Sequence, residues 1–246
     1  MVCSTAMKKT VLTLTVIPLW INHVSAESFT FNSFSGGSPL AIPDNGARTD
    51  IETITSSSVT SIQSITVSLN ISQLAGGGGA FNGDLFATLL YQNGSGPVLE
   101  ANLLNRPGKT AVNSFGYFDN GMQIQLNDSA ANGDIHTYQL TLDPHGNQLT
   151  GTWRPDGRSA TPDTVTDTSP RNPAPLSVFN GQDANGTWTL LIGDASLGGT
   201  AQLNSWGLDF APVPEPEQWA AISGAALLGF AIWRRRKQNS ATVPSI

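Results

Sequence analysis

The 246-residue sequence holds one cysteine, Cys3. No disulfide, cysteine-based zinc site or thiol nucleophile is therefore available beyond the first few residues. Histidine is nearly as scarce, with three in the chain and only His136 and His145 in its central region. Positive charge is also missing there, because six of the 12 Lys+Arg sit at the ends: Lys8, Lys9, Arg234, Arg235, Arg236 and Lys237. Residues 27–210 keep six basic side chains against 16 carboxylates, a net charge of −10. Such a surface repels phosphate backbones and anionic headgroups, which excludes nucleic acid as a partner. Charged residues make up only 12% of a chain with 25 Gly and 15 Pro. That composition argues against long solvent-exposed helices and for an all-β, turn-rich body.

The two most hydrophobic stretches lie at the extreme ends. Lys8 and Lys9 precede an apolar run from Val11 to Ile21, and Val24-Ser25-Ala26 then offers small side chains. These are the three parts of a secretory signal, residues 1–26, cut by signal peptidase after Ala26. At the other end, a Pro-rich linker (211–218) leads into an apolar run, Trp219 to Trp233, followed by a basic tail (234–246). As a helix those fifteen residues rise about 22 Å, short of a hydrocarbon core of about 30 Å. Local thinning and snorkelling arginines accommodate such a span, and the basic cluster puts the C-terminus in the cytoplasm. The sequence thus predicts a transmembrane helix over 219–233 with the body outside.

Val213-Pro214-Glu215-Pro216, the short Ala/Gly/Leu-rich run and Arg234-Arg235-Arg236 together resemble the PEP-CTERM sorting signal of Gram-negative bacteria. The resemblance implies recognition by a membrane-embedded cysteine transpeptidase, the exosortase, then removal of the signal. It further implies delivery to the cell surface or to an exopolysaccharide-containing matrix.

Between the ends, period-two alternation dominates. In Ser61–Ser72, Ile65, Val67, Leu69 and Ile71 point one way, and Thr66, Ser68, Asn70 and Ser72 point the other. Leu85–Tyr91, Met122–Leu126 and Tyr138–Leu142 continue the pattern, with turn chemistry at Gly76–Gly79, Asn93-Gly94 and Asn132-Gly133. Thr187–Ile192 places Trp188, Leu190 and Ile192 on one face. Ser205–Phe210 does the same with Trp206, Leu208 and Phe210, and Gly198-Gly199 lies in the connection. Two antiparallel strands with inward tryptophans point to a sandwich core. Residues 155–185, with five prolines, read as a long irregular loop.

Phe179-Asn-Gly181, Asn185–Asp194, Gly199 and Leu203–Phe210 are similar to the C-terminal signature of the P domain (P/Homo B domain) of proprotein convertases and bacterial subtilases. Trp188, Asp194 and Trp206 are its core members here. Upstream, Ile42–Gly46, Gly83–Leu90 and Leu103–Arg106 follow the family's order. The resemblance implies an eight-stranded jelly-roll β-sandwich over residues 27–210.

Because P domains accompany subtilisin-type proteases, catalysis must be tested. Serine hydrolysis requires a nucleophile, an imidazole and an orienting carboxylate. His136 and His145 both read as surface or turn histidines, and no nucleophile elbow is present. Metal is a separate question. Asp119, Asp128, Asp134, Asp156 and Asp163 lie beside Gly, Asn or Pro, where short carboxylates backed by free carbonyls suit Ca²⁺. The same residues favour turns simply by bonding their own backbone. The expectation is an exported, non-catalytic binding or structural β-sandwich. The alternatives are an accessory module of a separately encoded subtilase and an exopolysaccharide-binding module. The last needs exposed aromatic platforms, for which Tyr91, Tyr117, Phe118 and Trp153 are the candidates.

Overall fold

The computed structural model describes residues 25–214 and 216–240; the expected signal peptide up to Val24, Glu215 and the last six residues lie outside them. The body and the C-terminal helix are two separate units.

The body is a β-sandwich. Its strands are β1 (Glu27–Phe31), β2 (Leu40–Ile42), β3 (Gly46–Ile54), β4 (Ile62–Gln73), β5 (Leu85–Gln92), β6 (Leu99–Asn105), β7 (Met122–Leu126), β8 (Leu149–Trp153), β9 (Gly186–Asp194) and β10 (Ala201–Pro212). One sheet runs β1-β10-β4-β7-β8 with β2 also on β10, and the other runs β3-β9-β5-β6. The pairs are antiparallel except β7 with β8. Ten strands therefore stand where the resemblance implied eight.

Alternation sets the core. Ile65, Val67, Leu69 and Ile71 of β4 are buried, as are Trp206, Leu208 and Phe210 of β10 and Trp188, Leu190 and Ile192 of β9. The last two strands do not pair with each other: β9 lies between β3 and β5, and β10 between β1 and β4. Each tryptophan therefore enters the core from a different sheet, and Trp188 meets Phe210 across it at 5.3 Å between ring centroids. Burying aromatics of this size contributes about 2–3 kcal/mol each.

Two other expectations are corrected. Tyr138–Leu142 is not a strand; residues Ile135–Leu140 form a 3₁₀ helix whose start is capped by Asp134, which accepts from the His136 N–H at 3.0 Å. The apparent alternation there is not a burial pattern, since Tyr138 is fully buried but Leu140 is 84% exposed. The irregular segment 155–185 contains a 3₁₀ helix, Pro175–Phe179, and is stitched to β6 by the Asp156 and Gly157 N–H groups, each 3.0 Å from its acceptor.

Strand β10 extends two residues past the expected boundary, and the Val213 N–H still bonds the Ser61 carbonyl at 3.0 Å. The C-terminal helix α1 (Pro216–Ser240) is 25 residues long and runs on through the basic cluster. Among the described residues no helix is long and apolar enough to cross a membrane. The fifteen-residue apolar stretch expected to span a membrane over 219–233 sits inside a longer helix with polar and charged ends.

Candidate functional site

His136 is the buried one of the body's two histidines. It lies in the first turn of the 3₁₀ helix, and it is wholly buried rather than at the surface. Its Nδ1 lies 2.9 Å from Asp156 Oδ2, and its Nε2 lies 2.9 Å from the Lys109 carbonyl. A carbonyl only accepts, so Nε2 donates. Asp156 also accepts from the Asn105 N–H at 3.2 Å and from Arg158 Nη1 at 2.9 Å. Both ring nitrogens are engaged by protein atoms, and the ring is fully buried, so neither faces a substrate.

The network continues outward. Arg158 Nη1 reaches Asp134 Oδ2 at 3.0 Å, and Arg171 Nη1 approaches the same oxygen at 3.5 Å. Burial works against the Arg158 cation, but Asp156 and Asp134 outweigh it and hold the guanidinium more firmly protonated than usual. Lys109 ties this centre to the irregular segment, since its Nζ donates to the Pro162 carbonyl at 3.0 Å and also to that of Asp163. Burial lowers the pKa of this ammonium, Arg106 lowers it further and Asp163 opposes them. His145, by contrast, sits in an exposed turn with a φ of 54°.

The five carboxylates singled out for calcium are not brought together. Asp119 accepts from Tyr138 Oη and Gln139 Nε2 at 2.7 Å, and from the Gly146 N–H at 2.7 Å. Asp128 accepts from the Leu176 N–H at 3.2 Å, and burial raises its pKa. Asp134 and Asp156 belong to the arginine network, and Asp163 offers Lys109 its backbone carbonyl. Among the described residues, no three His, Cys, Asp or Glu side chains form a group that could hold a metal.

A carboxylate pair that the sequence did not signal lies at one end of the four-stranded sheet. Leu85 pairs with Asp194, which brings Asp84 beside it, and Arg106 sits 3.4 Å from Asp84. Burial, Asp84 and Asp44 push Asp194 up to about 6; its bond from the Ser196 N–H and the more distant Arg106 oppose them. Burial also raises Asp84, against the pull of Arg106. Both aspartates are visible in the sequence as strand-end residues. Only the register makes them neighbours.

The body's outer surface offers an open groove of about 470 Å³ on the six-stranded sheet. It runs over β10, β4, β7 and β8, and its lining carries no charge. A smaller hollow of about 300 Å³ contains Tyr117, Phe118, Asp119 and Asp143. Of the four aromatics considered as platforms, Tyr91 and Trp153 are core residues, Tyr117 is partly buried and Phe118 is 61% exposed. Of the sorting residues, Val213 is exposed where it leaves the body, and Arg234 and Arg235 are exposed on α1.

No family model matches the chain, and no curated protein matches it. Among solved structures, the Aeromonas sobria serine protease in complex with the chaperone ORF2 is similar over 77% of this chain and 27% of that chain, at 14% identity and a TM-score of 0.37. The same organism's serine protease is similar over 76% of this chain and 27% of that chain, at 15% identity and a TM-score of 0.36. The chain thus spans little more than a quarter of the length of the structures it matches.

Proposed function

We propose that this chain is an exported, non-catalytic β-sandwich that works by binding. In this reading signal peptidase cuts after Ala26, and an exosortase-type transpeptidase acts on the segment from Val213 through Arg236. The body is then delivered to the cell surface or extracellular matrix of a Gram-negative bacterium. The observation that carries the non-catalytic part is His136: its two nitrogens are both engaged by protein atoms at zero exposure, within a buried Asp–Arg network. General-base work requires a ring nitrogen within reach of a substrate proton, and this ring has none to offer. The acidic body, with its few cations, supports a partner other than a polyanion.

The test has two arms. Purified full chain, incubated with generic peptide, ester and glycoside substrates, should give no turnover above buffer. Mass spectrometry of protein recovered from the native host should show a mature N-terminus at Glu27 and loss of the C-terminal helix. Unaided turnover refutes the first part, and an intact C-terminus retained in the inner membrane refutes the second.

A further inference from the structure

An open sheet edge presents a row of unpaired backbone donors and acceptors, and folded chains normally blunt it. Three of the flanks here are blunted. β6 is covered by the segment after β8, whose Asp156 and Gly157 N–H groups bond the Leu103 and Asn102 carbonyls. The flank of β10 carries only the five residues of β1 and the three of β2. β8 has five residues, with Gly151 at a φ of 102° in its middle. β3 is different. It runs for nine residues in unbroken register with β9, from Gly46 opposite Asp194 to Ile54 opposite Gly186, and pairs with no other strand among the described residues. Ala47, Arg48, Thr49, Ile51 and Thr53 are exposed along it, Ile51 at 63%.

The charges on this edge are incomplete within one chain. Arg48, Asp50 and Glu52 share one face of β3, and Ala47, Thr49 and Ile51 the other, because a strand alternates. Among the described residues neither Arg48 nor Glu52 has an ion-pair partner. Asp50 gives Oδ2 to the Trp206 indole, and its Oδ1 accepts from no described group although the residue is only 5% exposed. Partial burial raises the Glu52 carboxyl, and Asp50 raises it further.

A second β3, laid antiparallel across a twofold axis at Thr49, supplies the missing partners. Residues whose numbers add to 98 then stand opposite one another. Each Arg48 faces the other protomer's Asp50 directly and its Glu52 diagonally, while Ile51 faces Ala47. Opposite charges placed so are favourable across strands, and like charges are not. Neighbouring axes fail on that ground: one at Arg48 opposes two guanidiniums, one at Asp50 two carboxylates, and one at Ile51 sets Asp50 against Glu52. We propose that β3 is a dimerisation edge that takes β3 of a second copy of this chain in the Thr49 register, making one eight-stranded sheet of the two four-stranded ones. Such a contact is isologous and closes on itself, leaving no further open β3. It goes beyond the binding reading and does not depend on the processing of either end.

The experiment is disulfide trapping in the full chain, with Cys3→Ser removing the native thiol. Thr49→Cys places the two new thiols opposite each other, with Cβ atoms about 5 Å apart, close to what a disulfide spans. Ile51→Cys, equally on the outer face, places them about 14 Å apart along the strands. Mild oxidation at moderate salt, which screens the repulsion between two acidic bodies, should give a cross-linked dimer with Thr49→Cys and little with Ile51→Cys. Adding Arg48→Glu to the Thr49→Cys chain should slow trapping about tenfold at an unchanged melting temperature, as loss of several exposed ion pairs implies. Arg48→Lys should largely keep it. No dimer with Thr49→Cys overturns the proposal. So does equal trapping at both positions, as association through another surface would give, or trapping indifferent to Arg48→Glu.

Discussion

The indole Nε1 of Trp206 donates a 2.7 Å hydrogen bond to the carboxylate of Asp50. Trp206 belongs to β10 of the six-stranded sheet and Asp50 to β3 of the other, so this bond crosses the sandwich at a point where Asp50 is only 5% exposed. It resolves a local conflict, an acid at an inward position of an alternating strand, by giving that acid a donor from the opposite layer.

Removing either partner should therefore cost more than the bond itself. Asp50→Leu orphans a buried indole N–H, with an expected loss of about 2 kcal/mol. Trp206→Phe strips a buried carboxylate of this donor and leaves a cavity, with an expected loss of about 3 kcal/mol or more. Urea denaturation of both variants checks this; changes below about 0.5 kcal/mol in each, the ordinary scatter of surface substitutions, would dismiss the bond as incidental.

His136 and Asp156 should behave as one unit. Each single replacement, His136→Ala or Asp156→Asn, breaks a network in which the remaining charges stay buried, at an expected cost of about 3–5 kcal/mol. The double variant should cost clearly less than the two singles together, because the second change removes a group the first has already left unpaired. Additive losses in a double-mutant cycle would show that the two residues do not cooperate.

The strands are legible in the sequence because one face of each is dry. Alternation in β4, β7, β9 and β10 identifies the buried residues, since a period of two leaves no choice of face once one side is core. Which strands become neighbours is not written in that period, so β9 and β10, adjacent in sequence, go to opposite sheets. The burial of His136 is hidden for a related reason. Gly133 and Asp134, just before it, are turn formers. The groups that bury and bond it, Asp156 and Lys109, lie 20 and 27 residues away. The outward set Thr66, Ser68, Asn70 and Ser72 is visible too. That β7 and β8 extend it into a groove is not, because the parallel pairing of these two strands has no local signature.

Gly83 should be intolerant of any side chain. A Cβ there would lie 2.1 Å from the Phe115 carbonyl oxygen and 2.6 Å from the Tyr117 nitrogen, both backbone atoms held close by the 2.8 Å bond from the Gly83 N–H to the Tyr117 carbonyl. Gly83→Ala should lose about 3 kcal/mol, the upper end of ordinary overpacking. Gly94 has a φ of 55°, and nothing lies within 4 Å of where an alanine methyl would stand. Gly94→Ala should lose only the left-handed penalty of about 1 kcal/mol. Equal melting temperatures for the two variants would contradict this ordering.

The Asp194–Asp84 pair should give the body an unusual pH profile. Asp194 is pushed up from 3.8 to about 6, so the folded state binds its proton more tightly than the unfolded chain does. Stability from this group is present in full below about 4 and is lost as pH rises through about 6. The raised Asp84 acts in the same direction. Glu27, lowered by its bonds from Ser58 and Ser57, acts the other way in more acidic solution. The difference between variant and wild type is therefore the readout, not either curve alone. Asp194→Asn keeps an acceptor for the Ser196 N–H at 2.9 Å while removing the buried charge. It should be more stable than wild type by on the order of 1–2 kcal/mol at pH 8, a partial expression of about 1.4 kcal/mol per pKa unit. That advantage should shrink toward zero by pH 4. Chemical denaturation across this range decides the matter, and a constant difference at every pH would mean that Asp194 does not titrate between the two limits.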